Sequence, residues 1–189
     1  GDLKKVMTNV KTRGGYGEVK LDAILEDIMA PGQYMKNVKT KQGSNDHVEF
    51  AIVMPGATGE TTLLPIDAKF PTEDYARLID ASQEGDVDAI NACVKAIKTS
   101  LVSFAKSISS KYLDPPHTTD FGIMFLPTEG LYAEALRIPG LVDDLRQNHH
   151  IIITGPTTIA ALLNSLRMGF QTLAIEKRSS EVWKVLAAV

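Results

Sequence analysis

Two short runs of apolar residues constrain the fold of this chain most strongly. Residues 121–126 and 150–154 are nearly continuous apolar runs, which is typical of strands buried on both faces. A helix predicted from about residue 131 to residue 147 connects them, and parallel neighbours require a crossover of that kind. The sequence therefore predicts a βαβ unit with two parallel strands.

Apolar residues also recur at alternating intervals of three and four between residues 87 and 108. This spacing predicts an amphipathic helix of about six turns. In a domain of this size it favours one long helix packed on the sheet, with a coiled coil between two chains as the alternative. The apolar positions are Val87, Ile90, Val94, Ile97, Leu101, Phe104 and Ile108.

Shorter helices are predicted along the rest of the chain from apolar spacing and from the prolines that bound them. They cover residues 19–28 after a glycine-rich segment at 13–18, a stretch from residue 71 to a polar break at 81–86, residues 159–170, and a final helix from residue 179.

One domain accounts for a chain of 189 residues. We assign residues 14–189 to it, with its last helix expected to continue further, and residues 1–13 to the remnant of a preceding helix or linker. The single cysteine, Cys93, excludes an internal disulfide and a cysteine-based zinc site. The sequence has no transmembrane run or signal peptide, so we expect a cytoplasmic location and no membrane contact by this part of the protein.

Charge is unevenly distributed, although the net charge is only −3. Residues 42–92 hold two Lys or Arg and ten Asp or Glu, while the segments before and after them are net positive. An acidic centre between basic segments suits a polyanion that meets a metal at that centre. The pI near 5.8 argues against strong nonspecific binding of nucleic acid.

The acidic middle of the chain contains a predicted antiparallel hairpin. Apolar runs at residues 48–54 and 61–67 are joined by turn-forming residues at 55–60. Two such runs with a loop of this kind are typical of neighbouring strands.

Pairing of Met54 with Thr62 would set the register of this hairpin. In that register Glu49 lies opposite Asp67, with the two Cβ atoms about 5 Å apart. Lys69 returns to the same face because side chains alternate along a strand. A shift of one residue would instead send Glu49 to the opposite face.

Two carboxylates and one ammonium would then converge. Carboxylate oxygens at that spacing suit a hard divalent cation such as Mg²⁺, which keeps several waters for a substrate phosphate or an attacking water. The lysine would orient or activate that water, or stabilise negative charge on a phosphoryl group. The alternative is an ordinary ion pair on a half-solvated sheet.

Lysines outside the hairpin are candidates for contact with a phosphate backbone. Lys36, Lys39 and Lys41 lie in a predicted short strand and loop, for which simple solvation is the alternative. Four more lysines lie beside the apolar face of the long helix, either as solvent contacts or as a backbone-binding rim: Lys95, Lys98, Lys106 and Lys111.

Several short motifs occur in order along the chain: Gly17-Glu18-Val19-x-Leu21, Leu64-Pro65-Ile66-Asp67-Ala68-Lys69-Phe70-Pro71, Lys111-Tyr112, and the segments at 119–129 and 153–158. They resemble the motifs of the RmuC family of DNA recombination proteins, and the order of elements resembles the PD-(D/E)XK nuclease core. The resemblance covers roughly residues 14–186. It implies an α/β fold with a restriction-endonuclease-like mixed sheet and flanking helices, acting in DNA recombination by metal-dependent phosphodiester hydrolysis.

The same resemblance implies roles for particular residues. Glu49 and Asp67 would bind Mg²⁺, with Mn²⁺ as a substitute. Lys69 would position or activate water, and Glu18 would complete the acidic cluster. DNA would be the partner, with contacts from Lys36, Lys39, Lys41 and Lys111. Family members are similar in having a membrane-anchoring segment and a coiled coil ahead of this domain, which implies a full-length protein anchored to the inner membrane.

One departure from the nuclease pattern keeps alternatives open. The pattern has Pro-Asp where this chain has Val48-Glu49, and the extra methylene of glutamate displaces its carboxylate. Asp46, just upstream, is therefore an alternative ligand. A domain that keeps the fold and binds DNA without cutting it is the alternative function, and a homo-oligomer formed through the helices is a further candidate partnership.

Overall fold

The structure is a computed structural model that describes residues 10–55 and 59–188. Within those residues the chain forms six helices and five strands, and none of these helices is both long and apolar enough to cross a membrane. The helices are α1 (Val10–Ile28), α2 (Thr72–Glu84), α3 (Val87–Tyr112), α4 (Glu129–Arg137), α5 (Leu141–His149) and α6 (Pro156–Ala187). The strands are β1 (Tyr34–Val38), β2 (Val48–Pro55), β3 (Thr61–Ala68), β4 (Gly122–Phe125) and β5 (Ile151–Thr154).

The five strands form one mixed sheet in the order β1-β2-β3-β4-β5. β1, β2 and β3 pair in antiparallel fashion, and β3, β4 and β5 pair in parallel. α4 and α5 lie in the crossover from β4 to β5, the kind of connection that parallel neighbours need. The predicted βαβ unit is confirmed, and so is the α/β fold with a restriction-endonuclease-like mixed sheet and flanking helices.

The β2–β3 hairpin has the register that was assumed for it, and the alternative shift of one residue is excluded. Met54 pairs with Thr62, and the pairing continues without interruption to Phe50 and Ile66. One residue further in the same register, Glu49 lies opposite Asp67. These two residues are the carboxylates of the proposed cluster.

The sheet separates two apolar cores, so the domain has three layers. On one face α1 and α6 cover the sheet, and Leu21, Leu25 and Leu163 are fully buried there. On the other face α2 to α5 cover it, around Leu101 and Leu131. α3 packs with its apolar stripe toward this second core, as the repeat of three and four predicts.

α1 begins earlier than the sequence predicts. The glycine-rich segment is expected to precede this helix, but Gly14, Gly15 and Gly17 lie inside it. Each interior glycine costs a helix about 1 kcal/mol relative to alanine. At Gly17 close packing explains the cost, because a Cβ there would lie 3.1 Å from the Ala68 Cβ. Residues 1–9, part of the predicted helical remnant, and residues 56–58 of the hairpin loop lie outside the described residues.

The prediction of a single helix at residues 131–147 is wrong. Pro139 and Gly140 divide that stretch into α4 and α5, because proline interrupts a helix and Gly140 has a φ of 75°. His150, expected at the start of the strand, instead ends α5 with a φ of 57°, and β5 starts at Ile151.

Two predicted breaks between helices are shorter than expected or absent. α2 continues to Glu84, so only Gly85 and Asp86 separate it from α3. The side chain of Asp86 accepts a hydrogen bond from the Ala89 N–H and so caps α3. The last two predicted helices are one continuous helix, α6, whose residues 171–187 are exposed at every position.

Candidate functional site

Glu49, Asp67 and Lys69 converge at the end of the β2–β3 pair, on the sheet face that α3 covers. Leu64 and Ile66 belong to the core on the α1 side, so the alternation of side chains turns Asp67 toward α3. Asp67 is only 2% exposed. Lys69 Nζ lies 2.9 Å from Asp67 Oδ2, so the buried negative charge has a positive partner.

The Asp67 oxygen in this ion pair makes no hydrogen bond of good geometry with any residue that the structure describes. Asp67 Oδ2 is buried and has no partner in hydrogen-bonding geometry, although the Lys69 ammonium lies beside it. The same ammonium lies 5.6 Å from the centroid of the Phe104 ring, which adds a cation–π contact from α3. The aromatic ring and the carboxylate together hold Lys69 at the cluster.

Glu49 is the second carboxylate of the cluster. Its Oε2 accepts a hydrogen bond of 3.0 Å from the Ala68 N–H. Burial and the nearby charge of Asp67 raise the pKa of Glu49 from 4.5 to about 7, against the smaller lowering effects of the Ala68 N–H and of Lys69. A second negative charge beside Asp67 is therefore unfavourable unless a further cation compensates it.

α1 brings a third carboxylate to the neighbourhood. The close contact between Gly17 and Ala68 places the N-terminal half of α1 beside the end of β3. Glu18 follows in the chain, and its charge contributes to the raised pKa of Glu49. Glu18 itself is exposed, so the structure brings it near the cluster without burying it.

The Tyr112 hydroxyl group is a neighbour of the cluster that residue patterns alone did not reveal. Its pKa is raised to about 12, first by burial and then by three negative charges. These charges belong to Asp67, Asp46 and Glu49. The Lys111-Tyr112 motif at the end of the long helix was the available signal, but only the packing of α3 on the sheet gives it a meaning.

The β1–β2 loop, residues 39–47, is hydrogen-bonded to the C-terminal end of α3. The contacts are Thr40 Oγ1 to the Tyr112 carbonyl oxygen at 2.7 Å, Lys41 Nζ to the Ser110 carbonyl oxygen at 2.8 Å, and the Gln42 N–H to Asp114 Oδ2 at 3.0 Å. Asp46, the alternative ligand, lies in this loop and is exposed, with its Oδ2 accepting a hydrogen bond from Ser44 Oγ. The loop therefore places Asp46 at the rim of the cluster.

A polar cleft of about 620 Å³ opens beside this loop. Lys39, Lys41 and His117 line it together with Leu63 of β3. Leu63 shares a strand face with Asp67, and the step of four residues from one to the other spans about 13 Å. Two of the candidate DNA-binding lysines thus lie in a concave surface whose β3 residue is about 13 Å from Asp67.

The other two candidate DNA contacts lie elsewhere. Lys36 Nζ is 2.7 Å from Asp22 Oδ1 of α1, and the hydrogen bond with this carboxylate raises the pKa of Lys36. Lys111 is exposed in the last turn of α3. The structure therefore groups Lys39 with Lys41 and separates Lys36 from both.

Glu49 and Asp67 supply two oxygen-bearing side chains to a candidate metal site. Across residues 10–55 and 59–188, no group of three or more His, Cys, Asp or Glu side chains is arranged to hold a metal ion. Mg²⁺ prefers oxygen ligands, needs few protein side chains and keeps several waters. The all-oxygen donor set of Glu49 and Asp67 fits such a cation in chemistry, with two protein ligands.

The mixed sheet and its flanking helices define a restriction-endonuclease-like α/β domain. Comparison with known proteins gives the particular family. A sequence model of the RmuC family matches residues 1–189, and the chain belongs to that family.

Curated relatives carry the same family name. The chain is 50% identical over 192 residues to the DNA recombination protein RmuC homolog of Xylella fastidiosa (strain Temecula1), which covers 100% of this chain and 42% of the relative. Homologs of that name from Pseudomonas aeruginosa (30% identity, 86% of this chain, 36% of the relative) and Chlamydia pneumoniae (27% identity, 95% and 41%) also match. The chain spans about two fifths of the length of these relatives. No solved structure gives a significant match.

Proposed function

We propose that this chain is the metal-dependent nuclease domain of a DNA recombination protein and hydrolyses phosphodiester bonds as an endonuclease or exonuclease. The observation that carries the proposal is the convergence of Glu49, Asp67 and Lys69. A structural ion pair needs only Asp67 and Lys69. The second carboxylate, Glu49, lies where its ionisation is unfavourable, as its pKa of about 7 indicates. Side chains with strongly shifted pKa values are concentrated at functional sites.

Each residue of the cluster has a role in this proposal. Glu49 and Asp67 hold Mg²⁺ or Mn²⁺, which when bound polarises the phosphodiester and lowers the pKa of a water. Lys69 orients the attacking water and stabilises the negative charge that develops on the phosphoryl oxygens. Glu18 adds a negative charge at the exposed edge, where it contributes to the attraction of a divalent cation.

The polar cleft provides a path for the DNA backbone in this proposal. Lys39 and Lys41 would neutralise phosphates there, and Lys111 would do the same at the end of α3. Lys36 is left out of the path because Asp22 already engages its ammonium. The scissile phosphate would lie at Asp67, about 13 Å along β3 from Leu63 in the cleft.

Relatives support the biological setting of the proposal. The curated homologs are named DNA recombination proteins. The alignment with the Xylella fastidiosa homolog includes 100% of this chain. We infer that this domain serves DNA recombination, with the remaining three fifths or so of the relatives' length contributing functions outside this domain.

A cleavage assay tests the proposal. The 189-residue chain is incubated with linear, single-stranded and branched DNA in Mg²⁺ or Mn²⁺. Asp67→Asn and Lys69→Ala are each expected to lower the rate at least about 100-fold, because each removes a group that stabilises the transition state. Circular dichroism checks that both variants remain folded.

Asp46→Asn is the matched control, since it removes an exposed carboxylate close to the cluster. It is expected to keep the parent rate within a few fold. Full activity in both Asp67→Asn and Lys69→Ala would overturn the assignment, and loss of activity in Asp46→Asn alone would transfer the ligand role to Asp46.

A second candidate function is a domain that binds DNA without cutting it. The raised pKa of Glu49 favours this candidate, because a carboxyl group with a pKa of about 7 is half protonated near neutral pH. Such a domain would bind DNA without metal, in a salt-dependent manner. DNA binding by the parent, without cleavage products in any metal, would select this candidate, and Lys39→Gln with Lys41→Gln should then weaken the binding.

A further inference from the structure

The solvent side of α3 carries a second concentration of positive charge that the acidic cluster does not use. Residues 89–113 contain four lysines and no aspartate or glutamate, in a chain that has 23 acidic residues. Three of these lysines line a surface trough of about 490 Å³ along the helix. We call it the lysine trough, and its residues are Lys95, Lys98, Thr99, Val102, Ser103 and Lys106.

The ammonium groups of the trough are available to a ligand. Lys95, Lys98 and Lys106 are all exposed, and within the part of the chain that the structure describes none of them forms an ion pair. Other exposed cations on this side of the molecule behave differently. Arg137 and Arg146 each lie within 3.3 Å of a carboxylate three residues earlier on the same helix.

The shape of the trough suits an extended polyanion. From Lys95 to Lys106 the helix rises by about 16 Å. One DNA strand carries a phosphate for about every 3.4 Å of duplex axis, so this length matches roughly five phosphates. Thr99 and Ser103 place short side chains between the lysines, which lets a sugar–phosphate backbone approach the helix. The Thr99 hydroxyl already donates to the Lys95 carbonyl oxygen, so Ser103 is the hydroxyl donor that the trough offers to a phosphate.

We propose that the lysine trough is a second DNA-contact surface, which binds the phosphate backbone of a DNA segment that extends past the acidic cluster. This inference rests on the proposed function, because DNA is preferred to other polyanions only if the cluster acts on DNA. α3 links the two surfaces. Its inner side presents Phe104 to the Lys69 ammonium, and the trough lies on its other side, about one helix diameter or 10 Å away.

DNA binding by matched charge variants tests this inference. Fluorescence anisotropy with a labelled 40-bp duplex, without divalent metal, gives the affinity of the 189-residue chain at several salt concentrations between 50 and 200 mM. The trough variant is Lys95→Gln with Lys98→Gln and Lys106→Gln. It is expected to bind at least about tenfold more weakly than the parent at low salt and to lower the slope of log affinity against log salt by about 2.7.

The control variant removes the same number of positive charges from the same side of the molecule. It is Arg77→Gln with Arg137→Gln and Arg146→Gln, three exposed arginines that already lie near a carboxylate on their own helices. Binding within about twofold of the parent is expected, because these charges are already compensated. Circular dichroism establishes that both triple variants are folded.

Four other outcomes overturn the inference, and a fifth concerns only the nuclease. Parent-like affinity and salt slope in the trough variant would exclude the trough from DNA binding. An equal loss of affinity in the trough variant and the arginine variant would show that net charge, and not the trough, determines DNA binding. Loss of binding to phosphatidylserine vesicles in the trough variant, with DNA binding intact, would assign the trough to lipid. No DNA binding by the parent would overturn this inference and leave the nuclease to the cleavage assay, whereas trough-dependent binding without any cleavage would refute the nuclease alone.

Discussion

Glu49 couples the stability of the domain to pH. Its pKa is 4.5 in a solvated side chain and about 7 in the folded protein, because it is buried beside Asp67. Between these values the unfolded chain has lost this proton while the folded chain still holds it. The contribution of Glu49 to the free energy of unfolding is therefore complete below about pH 4.5 and is lost as the pH rises to about 7, by up to roughly 3 kcal/mol.

Glu49→Gln should remove this pH dependence. Glutamine keeps the size of the side chain and an oxygen that accepts the Ala68 N–H, and it stays neutral at every pH. Urea unfolding at pH 5, 6, 7 and 8, without divalent metal, is expected to show a flatter profile for the variant and greater stability than the parent at pH 8. Glu60→Gln, at an exposed position, should keep the parent profile. Parallel profiles for Glu49→Gln and the parent would contradict the burial of this carboxyl group.

Replacing Gly17 or Gly15 with alanine is expected to change the stability of the domain in opposite directions. Both lie inside α1, where alanine is favoured over glycine by about 1 kcal/mol. A Cβ at Gly17 would lie 3.1 Å from the Ala68 Cβ and 3.2 Å from Pro127 Cγ, whereas a Cβ at Gly15 meets nothing within 4 Å. The contact atoms at Gly17 belong to short, stiff side chains that cannot rotate away.

Gly15→Ala is therefore expected to raise the thermal midpoint by about 2 to 4 °C. Gly17→Ala is expected to lower it, since crowding against β3 outweighs the gain in helix propensity. Differential scanning calorimetry of the two variants measures the difference directly. Equal stabilisation by both alanines would mean that α1 and β3 are less tightly packed than the structure indicates.

At the scale of elements, the parts that could be predicted from the sequence are those with local patterns. The spacing of apolar residues was sufficient for α3, and the two apolar runs with their turn were sufficient for the hairpin. Its register was an assumption, with a shift of one residue as the alternative, and the structure has the assumed pairing of Met54 with Thr62. The relative positions of Glu49, Asp67 and Lys69 follow from that register alone. This part of the candidate site is therefore encoded in local pattern and needs no knowledge of tertiary packing.

The parts that could not be predicted depend on tertiary contacts or on weak local signals. The three glycines of α1 predicted a loop before the helix, whereas they lie inside it. The reason for a glycine at position 17 is the close approach of Ala68, which is a tertiary contact. Pro139-Gly140 was a local signal that the apolar pattern on both sides obscured. Tyr112 is 45 residues from Asp67 in the chain, and only the packing of α3 on the sheet brings it to the acidic cluster.

α6 contains a part that the domain does not need. Residues 171–187 are exposed at every position, so they bury little apolar surface in the folded chain. Ending the chain after Phe170 is expected to change the free energy of unfolding by less than about 1 kcal/mol. Ending it after Leu162, which removes the fully buried Leu163, should cost at least about 2 kcal/mol. Urea denaturation followed by circular dichroism compares the two variants. A large loss of stability in the chain that ends after Phe170 would show that the distal part of α6 packs on the domain.

At the scale of the whole molecule, the candidate site is assembled from segments distant in the chain. β2 and β3 supply the acidic pair and the lysine, α1 supplies Glu18, and α3 supplies Phe104 and Tyr112. Because these elements meet only in the folded domain, a ligand of the cluster binds the folded state and stabilises it. Metal binding is thus measurable without any catalytic reaction.

Addition of 10 mM Mg²⁺ is expected to raise the thermal midpoint of the parent by a few degrees. A dissociation constant of about 1 mM would contribute roughly 1.4 kcal/mol at that concentration. Asp67→Asn should show no shift of its own midpoint on addition of Mg²⁺, because one of the two ligands has lost its charge. Equal shifts in the parent and in Asp67→Asn would place the bound cation elsewhere on the molecule.

The exposed distal part of α6 also determines what tryptophan fluorescence measures in this protein. Trp183 is the sole tryptophan of the chain, and its side chain is 72% exposed there. Its emission is therefore that of a water-exposed indole in the folded state already. Loss of the sheet and of both cores would leave the emission maximum almost unchanged, whereas fraying of the last turns of α6 would alter its intensity. An unfolding curve recorded through tryptophan fluorescence would thus follow one helix end and miss the domain, and far-ultraviolet circular dichroism is the signal that follows the fold.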